Sequence, residues 1–222
     1  MLQLDNLPDL NDSYTYENFF YLSCESSRIE KIITQYSIFS KSLKTPGAII
    51  ECGVFKGASF ARYAMFRKIH KMEDKLLVGF DAFGFFPETS YEDDKQLRDE
   101  FIEIDGKEGI SVEQLNIVLE HKSCSINTQL IKGDICETVP SYVEDNPKLK
   151  ISFINLDVDI YEPSKSVLEN LYPLLSTGGV IVLDNYTEFP GETKAVDDFL
   201  KDNDVTIQKE GINKPIYFIV KE

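Results

Sequence analysis

Residues 151–162 read ISFINLDVDIYE, and residues 179–186 read GVIVLDNY. In each stretch a short apolar run rich in Ile, Val and Leu ends in acidic residues, which is the pattern of a buried parallel strand. A helix-length amphipathic stretch, residues 163–175, and a stop at residues 177–179, Thr-Gly-Gly, lie between them. This order of strand, crossover helix and strand predicts that both acidic ends lie at the carboxyl edge of one parallel sheet.

Four polar side chains follow these two strands. Asp157 and Asp159 close the first strand, and Asp184 and Asn185 close the second. If the strands are neighbours, they lie about 4.8 Å apart, and carboxylates at their ends can share one cation. Ligands bind at this edge of an open α/β sheet, so these residues are the first candidates for a functional site.

The rest of the chain continues the alternation of strands and helices. Strands are predicted at residues 48–52, 76–80, 129–132, 151–156 and 179–183, and helices at residues 59–71, 111–122, 137–145, 164–175 and 192–201. Two further runs, residues 205–209 and 216–220, flank a short turn and predict an antiparallel hairpin. The pattern predicts one α/β domain with a mostly parallel seven-stranded sheet. This Rossmann-like arrangement resembles that of class I methyltransferases.

Two segments lie outside the alternation. Residues 1–46 contain an aromatic stretch at residues 14–21 and then a helical pattern from about residue 28 to residue 43. Residues 82–110 form a long acidic connection, and loops of that length inside a compact domain are usually lids or disordered. We therefore expect an N-terminal helical lid at 1–46, and a catalytic domain at 47–222 that carries a lid insertion at 82–110.

Composition limits the class of protein. The chain of 222 residues is 42% apolar and 27% charged, which fits one large soluble domain. No apolar run approaches the roughly 20 residues of a membrane helix, and the N-terminal residues lack the pattern of a signal peptide. The four cysteines form no CxxC pair, as expected of reduced thiols. These features predict a cytoplasmic protein without a membrane segment.

The net charge limits the partners. A chain with a net charge of −15 repels phosphate backbones, so nucleic acid is not an expected substrate. The same negative charge favours the binding of a cationic cofactor or a divalent metal.

A glycine-containing turn follows the first predicted strand and begins the first helix after it. Residues 51–59 read ECGVFKGAS. Gly53 and Gly57 allow the backbone to approach a ligand closely, and the N–H groups at the helix start, around Ser59, face that ligand. The spacing is G-x-x-x-G and not G-x-G-x-x-G, which argues against a dinucleotide cofactor.

Two further acids end the second and third strands. Asp81 stands where nucleoside-binding sheets hold a ribose diol, and Asp134 could accept a hydrogen bond from an adenine amine. Either side chain could instead cap the helix that follows it. Acids at the ends of several strands suit S-adenosylmethionine (SAM), which offers a ribose, an adenine, an amino group and a sulfonium charge.

From about residue 47 to residue 200 the chain resembles the macrocin O-methyltransferase (TylF-like) family of SAM-dependent enzymes. The stretches that carry the resemblance are ECGVFKG at 51–57, FDAFGFFP at 80–87, GISVEQ at 109–114, KGD at 132–134, ETVP at 137–140, LDVDIYE at 156–162, YPL at 172–174, GG at 178–179, DNY at 184–186 and PGE at 190–192. The resemblance implies methyl transfer from SAM to a sugar hydroxyl of a small molecule, assisted by Mg²⁺. It also implies self-association, with a homodimer as the simplest form.

The resemblance also implies residue roles. The metal would be held by Asp157, Asp184 and Asn185, and Asp159 would be the general base. The expected cofactor-binding residues are Glu51, Gly53, Gly57, Ser59, Asp81 and Asp134. The chain departs from the family at Asn185, where a second acid is common, at Val158, where glycine is common, and at residues 55–56, Phe-Lys in place of Trp-Arg. An amide oxygen can still ligate Mg²⁺, but one charge fewer should weaken the metal.

These roles agree with the chemistry of a hydroxyl acceptor. A sugar hydroxyl is a poor nucleophile near neutral pH, and coordination to a metal lowers its pKa. Asp159, two residues after Asp157, could take the proton. The acceptor itself would be recognised by residues 1–46 and 82–110.

Three other interpretations stay open on the sequence. A catechol-type or other phenolic acceptor is the runner-up, because an Asp-Asn pair at 184–185 also resembles catechol methyltransferases. A nicotinamide-dependent oxidoreductase on a similar sheet is a second alternative, which the G-x-x-x-G spacing disfavours. A non-catalytic SAM-binding protein is the third, since Asn185 departs from the family pattern.

Overall fold

The computed structural model describes residues 7–222, which form a central sheet with helices on both faces. The strands are β1 (Ala48–Cys52), β2 (Leu77–Asp81), β3 (Thr128–Lys132), β4 (Ile151–Leu156), β5 (Leu175–Leu183), β6 (Ile207–Glu210) and β7 (Ile216–Val220). They are ordered β3-β2-β1-β4-β5-β7-β6. The first five are parallel, and β7 is antiparallel to both of its neighbours. The predicted fold class, a mostly parallel seven-stranded sheet that ends in a hairpin, is confirmed.

Eight α-helices in residues 7–222 surround this sheet. They are α1 (Ser13–Ser23), α2 (Ser26–Lys41), α3 (Ala58–Ile69), α4 (Glu92–Asp105), α5 (Val112–His121), α6 (Ile135–Asp145), α7 (Tyr161–Leu171) and α8 (Pro190–Asp202). Two apolar clusters of buried side chains, one on each face, hold the helices to the sheet. Because the central strands are buried on both faces, they carry the continuous Ile-Val-Leu runs that identify them in the sequence.

The register of the central strands positions the acidic strand ends. Strand β1 lies between β2 and β4, and β4 pairs with β5 so that Leu156 stands opposite Leu183. The ladder continues one residue further, since Asp157 N donates to Cys52 O and Asp184 N donates to Leu156 O. Asp157 and Asp184 therefore follow neighbouring strands at the same edge, as predicted.

Most predicted bounds agree with the structure to within a few residues, and two differences are larger. The glycine pair 178–179 lies inside β5 and does not precede it, because Gly178 N donates to Lys221 O and Lys221 N donates to Gly179 O. The insertion 82–110 contains helix α4, a highly polar helix that the sequence pattern did not indicate. The predicted helix from residue 28 to residue 43 corresponds to α2.

The two N-terminal helices differ in how they pack. Helix α2 lies against β5 and β7, and its Ile38 and Phe39 are completely buried. Helix α1 buries none of its residues. Within residues 7–222 no helix is both long enough and apolar enough to cross a bilayer.

Candidate active site

A cavity of about 480 Å³ opens at the carboxyl edge of the sheet. Its lining includes the predicted site residues Gly53, Asp81, Asp134, Asp157 and Asp159. The insertion supplies a further part of the wall: Ala82, Gly84, Phe85, Phe86, Pro87, Glu88 and Ser90. The lining thus joins the ends of four strands, β1 to β4, to the insertion, and it combines apolar rings with carboxylates.

The turn after β1 passes close to the turn after β4. Gly53 has φ +89°, and a Cβ atom at this position would overlap the Asp157 carbonyl, so only glycine fits. Gly57, with φ +80°, is the N-cap of α3. These two glycines shape the turn as the sequence pattern predicts, although Gly57 is not part of the cavity lining.

Asp81 binds the backbone of that turn. Its Oδ2 accepts hydrogen bonds from Val54 N at 2.8 Å and Phe55 N at 2.9 Å, and its Oδ1 accepts one from Phe83 N at 2.6 Å. Both carboxylate oxygens are therefore engaged by backbone donors. Asp81 lies at the cavity wall and also ties the β1 turn to the β2 end.

Asp134 caps a helix, which is one of the two roles weighed from the sequence. Its side chain accepts from Cys136 N at 2.8 Å at the N-terminus of α6. Asp134 and Gly133 also line the cavity, so capping and ligand contact are compatible at this position.

Glu51 lies on β1 away from solvent. Its Oε1 accepts from Asn155 Nδ2 at 3.3 Å, and its Oε2 has no hydrogen-bond partner among the described residues. Burial raises the pKa of Glu51, and a hydrogen bond with Ser59 acts in the opposite direction. Glu51 and Ser59 are thus in contact with each other, outside the residues that line the cavity.

Asn185 brings the acidic strand ends together. Its Nδ2 donates to Asp157 Oδ1 at 2.9 Å and to Asp159 Oδ1 at 2.6 Å. Asp184, next to it, is bound from α2: Lys31 Nζ lies 2.7 Å from Asp184 Oδ2, and Gln35 Nε2 lies 3.4 Å from Oδ1. The four predicted residues form one cluster, which we call the acid cluster (Asp157, Asp159, Asp184 and Asn185).

Burial dominates the electrostatics of the acid cluster. Burial and the neighbouring Asp184 carboxylate together raise the pKa of Asp157 to about 7, against the opposing effect of Lys31. Burial also raises the pKa of Asp159, with Asp157 as the next cause. Asp159 has φ +65°, a conformation that aspartate tolerates better than most residues.

Sequence reasoning missed three residues around this cluster. Lys31 and Gln35 on α2 bind Asp184 from a segment whose pattern showed only helical periodicity. Glu192, at the start of α8, is completely buried and accepts from Asn185 N at 2.9 Å, while Glu192 N donates to Asp159 O at 3.1 Å. The acid in the PGE stretch was the one signal for Glu192; nothing in the sequence marked the two α2 residues.

Known proteins are similar to this chain along most of its length. The family model described as Macrocin-O-methyltransferase (TylF) matches residues 28–219. The demethyldecarbamoylnovobiocin O-methyltransferase of Streptomyces niveus is 24% identical over 183 residues, which are 75% of this chain and 65% of that enzyme. The 8-demethyl-8-(2,3-dimethoxy-alpha-L-rhamnosyl)-tetracenomycin-C 4'-O-methyltransferase of Streptomyces olivaceus is 28% identical over 145 residues, which are 64% of this chain and 53% of that enzyme. The match thus spans less than two thirds of both relatives.

A solved structure agrees with these matches. The calicheamicin methyltransferase CalS11 superimposes with a TM-score of 0.74 at 26% identity, covering 97% of this chain and 88% of that one. The family model covers residues 28–219, and therefore all strands of the sheet except the last residue of β7, together with the cavity and the acid cluster. This chain belongs to the macrocin O-methyltransferase (TylF) family.

Proposed function

We propose that this protein is a SAM-dependent O-methyltransferase that acts on a hydroxyl group of a sugar or a glycosylated small molecule. The observation that carries the proposal is a cavity at the carboxyl edge whose lining runs from the β1 turn and Asp134 to Asp157 and Asp159. Membership of the TylF family supports the reaction class. The rhamnosyl acceptor in the name of one relative supports a sugar hydroxyl.

The cavity suits a cofactor of nucleoside size. Its volume of about 480 Å³ lies within the roughly 300–1,000 Å³ of small-molecule sites. Gly53, Asp81 and Asp134 line it, and Glu51, Gly57 and Ser59 support the turn that closes it. Bound there, SAM supplies an electrophilic methyl group next to the acid cluster.

Mg²⁺ is part of this proposal. No group of three or more His, Cys, Asp or Glu side chains in residues 7–222 has the geometry of a metal site. The side chains nevertheless suit a hard cation, because Asp157, Asp184 and the Asn185 amide each offer an oxygen ligand. Asn185 Nδ2 and Lys31 Nζ now satisfy these carboxylates. Rotation of the amide by half a turn exchanges its nitrogen for its oxygen, which converts the same position into a ligand.

Each residue of the acid cluster has its own role in the proposed reaction. The residues that would hold Mg²⁺ are Asp157, Asp184 and Asn185, and the ion would supply the Lewis acidity that lowers the pKa of the acceptor hydroxyl. Asp159 accepts the hydroxyl proton. Asn185 Nδ2 orients its carboxylate, and Glu192 N donates a hydrogen bond to its backbone carbonyl. Alignment of acceptor and methyl group contributes up to about 7–11 kcal/mol to lowering the barrier.

The segments outside the sheet exclude water in this proposal. Phe85, Phe86 and Pro87 of the insertion line the cavity and cover the cofactor. Helix α2 reaches the acid cluster through Lys31, so α2 and residues 82–110 border the acceptor from two sides.

Calorimetric titration with S-adenosylhomocysteine, once with Mg²⁺ and once with EDTA, tests the proposal first. We expect micromolar binding under both conditions, because the cofactor cavity is formed by the protein alone. A panel of rhamnosides and catechols, assayed for methylation, then tests the acceptor. Absence of cofactor binding in both buffers would refute a methyltransferase, and methylation of catechols without any glycoside would refute the sugar acceptor.

A further inference from the structure

A strap of the insertion, residues 84–90, forms a wall of the cavity at the carboxyl edge. Every residue of the strap except Thr89 lines that cavity. The start of the strap pairs with residues 107–109, since Phe86 N donates to Lys107 O at 2.8 Å and Gly109 N donates to Gly84 O at 2.9 Å. The cavity is therefore walled partly by strand ends and partly by a segment that does not belong to the sheet.

Arg98 of α4 supports the middle of the strap. Its Nε donates to Pro87 O at 2.7 Å, and its Nη2 pairs with Glu88 Oε1 at 2.8 Å. This contact and the pairing with residues 107–109 both lie within the insertion. They give the strap its shape, but they do not join it to the rest of the domain.

Glu162, in the first turn of α7, joins the end of the strap to the rest of the domain. Its Oε2 accepts from Thr89 Oγ1 at 2.9 Å, and its Oε1 accepts from Ser90 N at 2.8 Å and from Ser90 Oγ. Burial acts to raise the pKa of Glu162, but the hydrogen bonds led by Ser90 outweigh it, so the pKa is lowered. The side chain is thus a carboxylate at neutral pH, and hydrogen bonds to a charged acceptor are stronger than those between neutral groups.

We propose that Glu162 is a positioning residue that holds the strap against the cavity and so slows the release of the cofactor product, S-adenosylhomocysteine. The inference rests on the proposed function, because the ligand retained behind the strap is the product of that reaction. Glu162 acts through Thr89 and Ser90, and not by touching the reacting atoms.

The Glu162 contact is the place where the strap opens. Ser90 is exposed and Glu162 is half-buried, whereas Asp94, which binds the N-termini of α7 and α8, is completely buried. Contacts that water reaches open at a lower free energy than buried ones. The strap therefore leaves Glu162 while α4 stays in place, and the cavity gains an exit for its ligand.

Opening of this contact has a consequence for turnover. Release of product limits the rate of many enzymes whose loops close over the ligand. A strap that is fastened by three hydrogen bonds retains the ligand longer than one that is free at this end, so Glu162 determines how fast the cavity is emptied.

The test is the dissociation rate of S-adenosylhomocysteine from the immobilised protein, measured by surface plasmon resonance. Glu162→Ala removes all three hydrogen bonds, and Glu162→Gln keeps an oxygen that accepts from Ser90 N. Thr89→Val removes one donor to Glu162 at a residue that does not line the cavity. Glu169→Ala, which removes an exposed carboxylate of the same helix, is the matched control.

We expect Glu162→Ala to release S-adenosylhomocysteine at least about tenfold faster than the wild type, and Thr89→Val about threefold faster. Glu169→Ala should release it at the wild-type rate, and Glu162→Gln at a rate between those of the wild type and Glu162→Ala. The combination of Thr89→Val with Glu162→Ala should be no faster than Glu162→Ala alone, because both changes break the same contact. Hydrogen–deuterium exchange in residues 84–90 should become faster in Glu162→Ala.

Equal dissociation rates for the wild type and Glu162→Ala would overturn the inference. Faster release without faster exchange in the strap would overturn it too, because Glu162 would then act by contacting the ligand itself. If S-adenosylhomocysteine does not bind the wild-type protein at all, the proposed function is refuted and the inference falls with it.

Discussion

At the scale of single residues, the acid cluster brings carboxylate side chains close together in a largely buried place. Asp159 is buried, Asp157 is half-buried, and the completely buried Glu192 lies close to both carboxylates. The Asn185 side chain relieves part of the repulsion by donating to two carboxylates at once. The family's second acid at this position would add a charge, so asparagine makes the cluster less costly to bury without a cation.

Asp159 is expected to be indispensable for turnover. Asparagine in its place keeps the size of the side chain and tolerates the φ of +65°, but it does not accept a proton. We expect Asp159→Asn to lower kcat by about 10²–10⁴-fold, the usual contribution of a general base. Affinity for S-adenosylhomocysteine, measured by calorimetry, should stay nearly unchanged.

The control for this variant is Asp202→Asn, at the exposed C-terminal end of α8. It should retain wild-type turnover. Retained turnover in Asp159→Asn would remove this residue from the role of base.

Lys31 is expected to compete with the metal. Its ammonium lies 2.7 Å from Asp184 and lowers the pKa of Asp157, so it supplies the positive charge that Mg²⁺ would bring. We expect Lys31→Met to tighten metal binding by about tenfold, equivalent to about 1.4 kcal/mol. Binding of Mn²⁺, followed by electron paramagnetic resonance, measures this directly.

Lys44→Met is the control for this measurement, since Lys44 is exposed and does not line the cavity at the carboxyl edge. Unchanged or weaker Mn²⁺ binding in Lys31→Met would mean that this lysine supports the metal and does not displace it.

At the scale of helices and strands, the sequence predicted those elements that a local pattern of apolar and polar residues defines. Strands β1 and β4 were located to the residue, because they are buried runs bounded by turn residues. Helix α4 was missed, because its sequence EDDKQLRDEFIEID is mostly charged and shows little apolar periodicity. Its place is determined by tertiary contacts, which local pattern does not contain.

Asp94 makes the most important of those contacts. It is completely buried in α4, and its carboxylate accepts from Tyr161 N at 2.9 Å and from Gly191 N at 2.7 Å, at the N-termini of α7 and α8. Two helix N-termini therefore share one anion, which favours the negative charge. Burial acts against this and raises the pKa of Asp94.

Asp94→Asn should loosen the insertion. The amide replaces one acceptor oxygen by a donor, so either Tyr161 N or Gly191 N loses its partner inside the protein. We expect the free energy of unfolding to fall by about 1–3 kcal/mol. Hydrogen–deuterium exchange should become faster in residues 82–110 than in the central strands.

Glu103→Gln changes an exposed carboxylate of the same helix and should alter neither quantity. If Asp94→Asn unfolds like the wild type, with unchanged exchange in the insertion, Asp94 does not hold α4 in place.

At the scale of the whole molecule, the carboxyl edge of the sheet was predictable and the surroundings of the acid cluster were not. The alternation of elements predicts a parallel sheet, and the pairing of β4 with β5 in that sheet brings Asp157 next to Asp184. The contact of Lys31 with Asp184 depends on how α2 crosses β5 and β7, and Glu30 of α2 binds Asn213 in the β6–β7 turn. These contacts join distant parts of the chain, so no window of sequence contains them.

Helix α1 leads to the last prediction, which concerns self-association. Its eleven residues bury no side chain, and its exposed apolar residues are Tyr14, Tyr16, Phe19, Phe20, Tyr21 and Leu22. An isolated helix shorter than about 12–15 residues is marginal in water, so α1 needs a covering surface. The helix carries a single charge, Glu17, in a chain with 38 acidic residues, so two copies that met at α1 would experience little charge repulsion. We expect a homodimer in which the two α1 helices cover each other.

Sedimentation equilibrium at several protein concentrations measures this association. The double variant Phe19→Ser, Tyr21→Ser should shift the protein from dimer to monomer, because aromatic side chains dominate the energetics of such interfaces. Ile126→Ser removes an equally exposed apolar side chain, 65% accessible against 63% for Phe19, from a loop far along the chain, and should leave the dimer intact. A monomeric wild-type protein, or a dimer that survives the double variant, would show that α1 is covered in some other way. If the dimer forms as expected, it also orders the segment that leads into α2, the helix whose Lys31 binds Asp184 of the acid cluster.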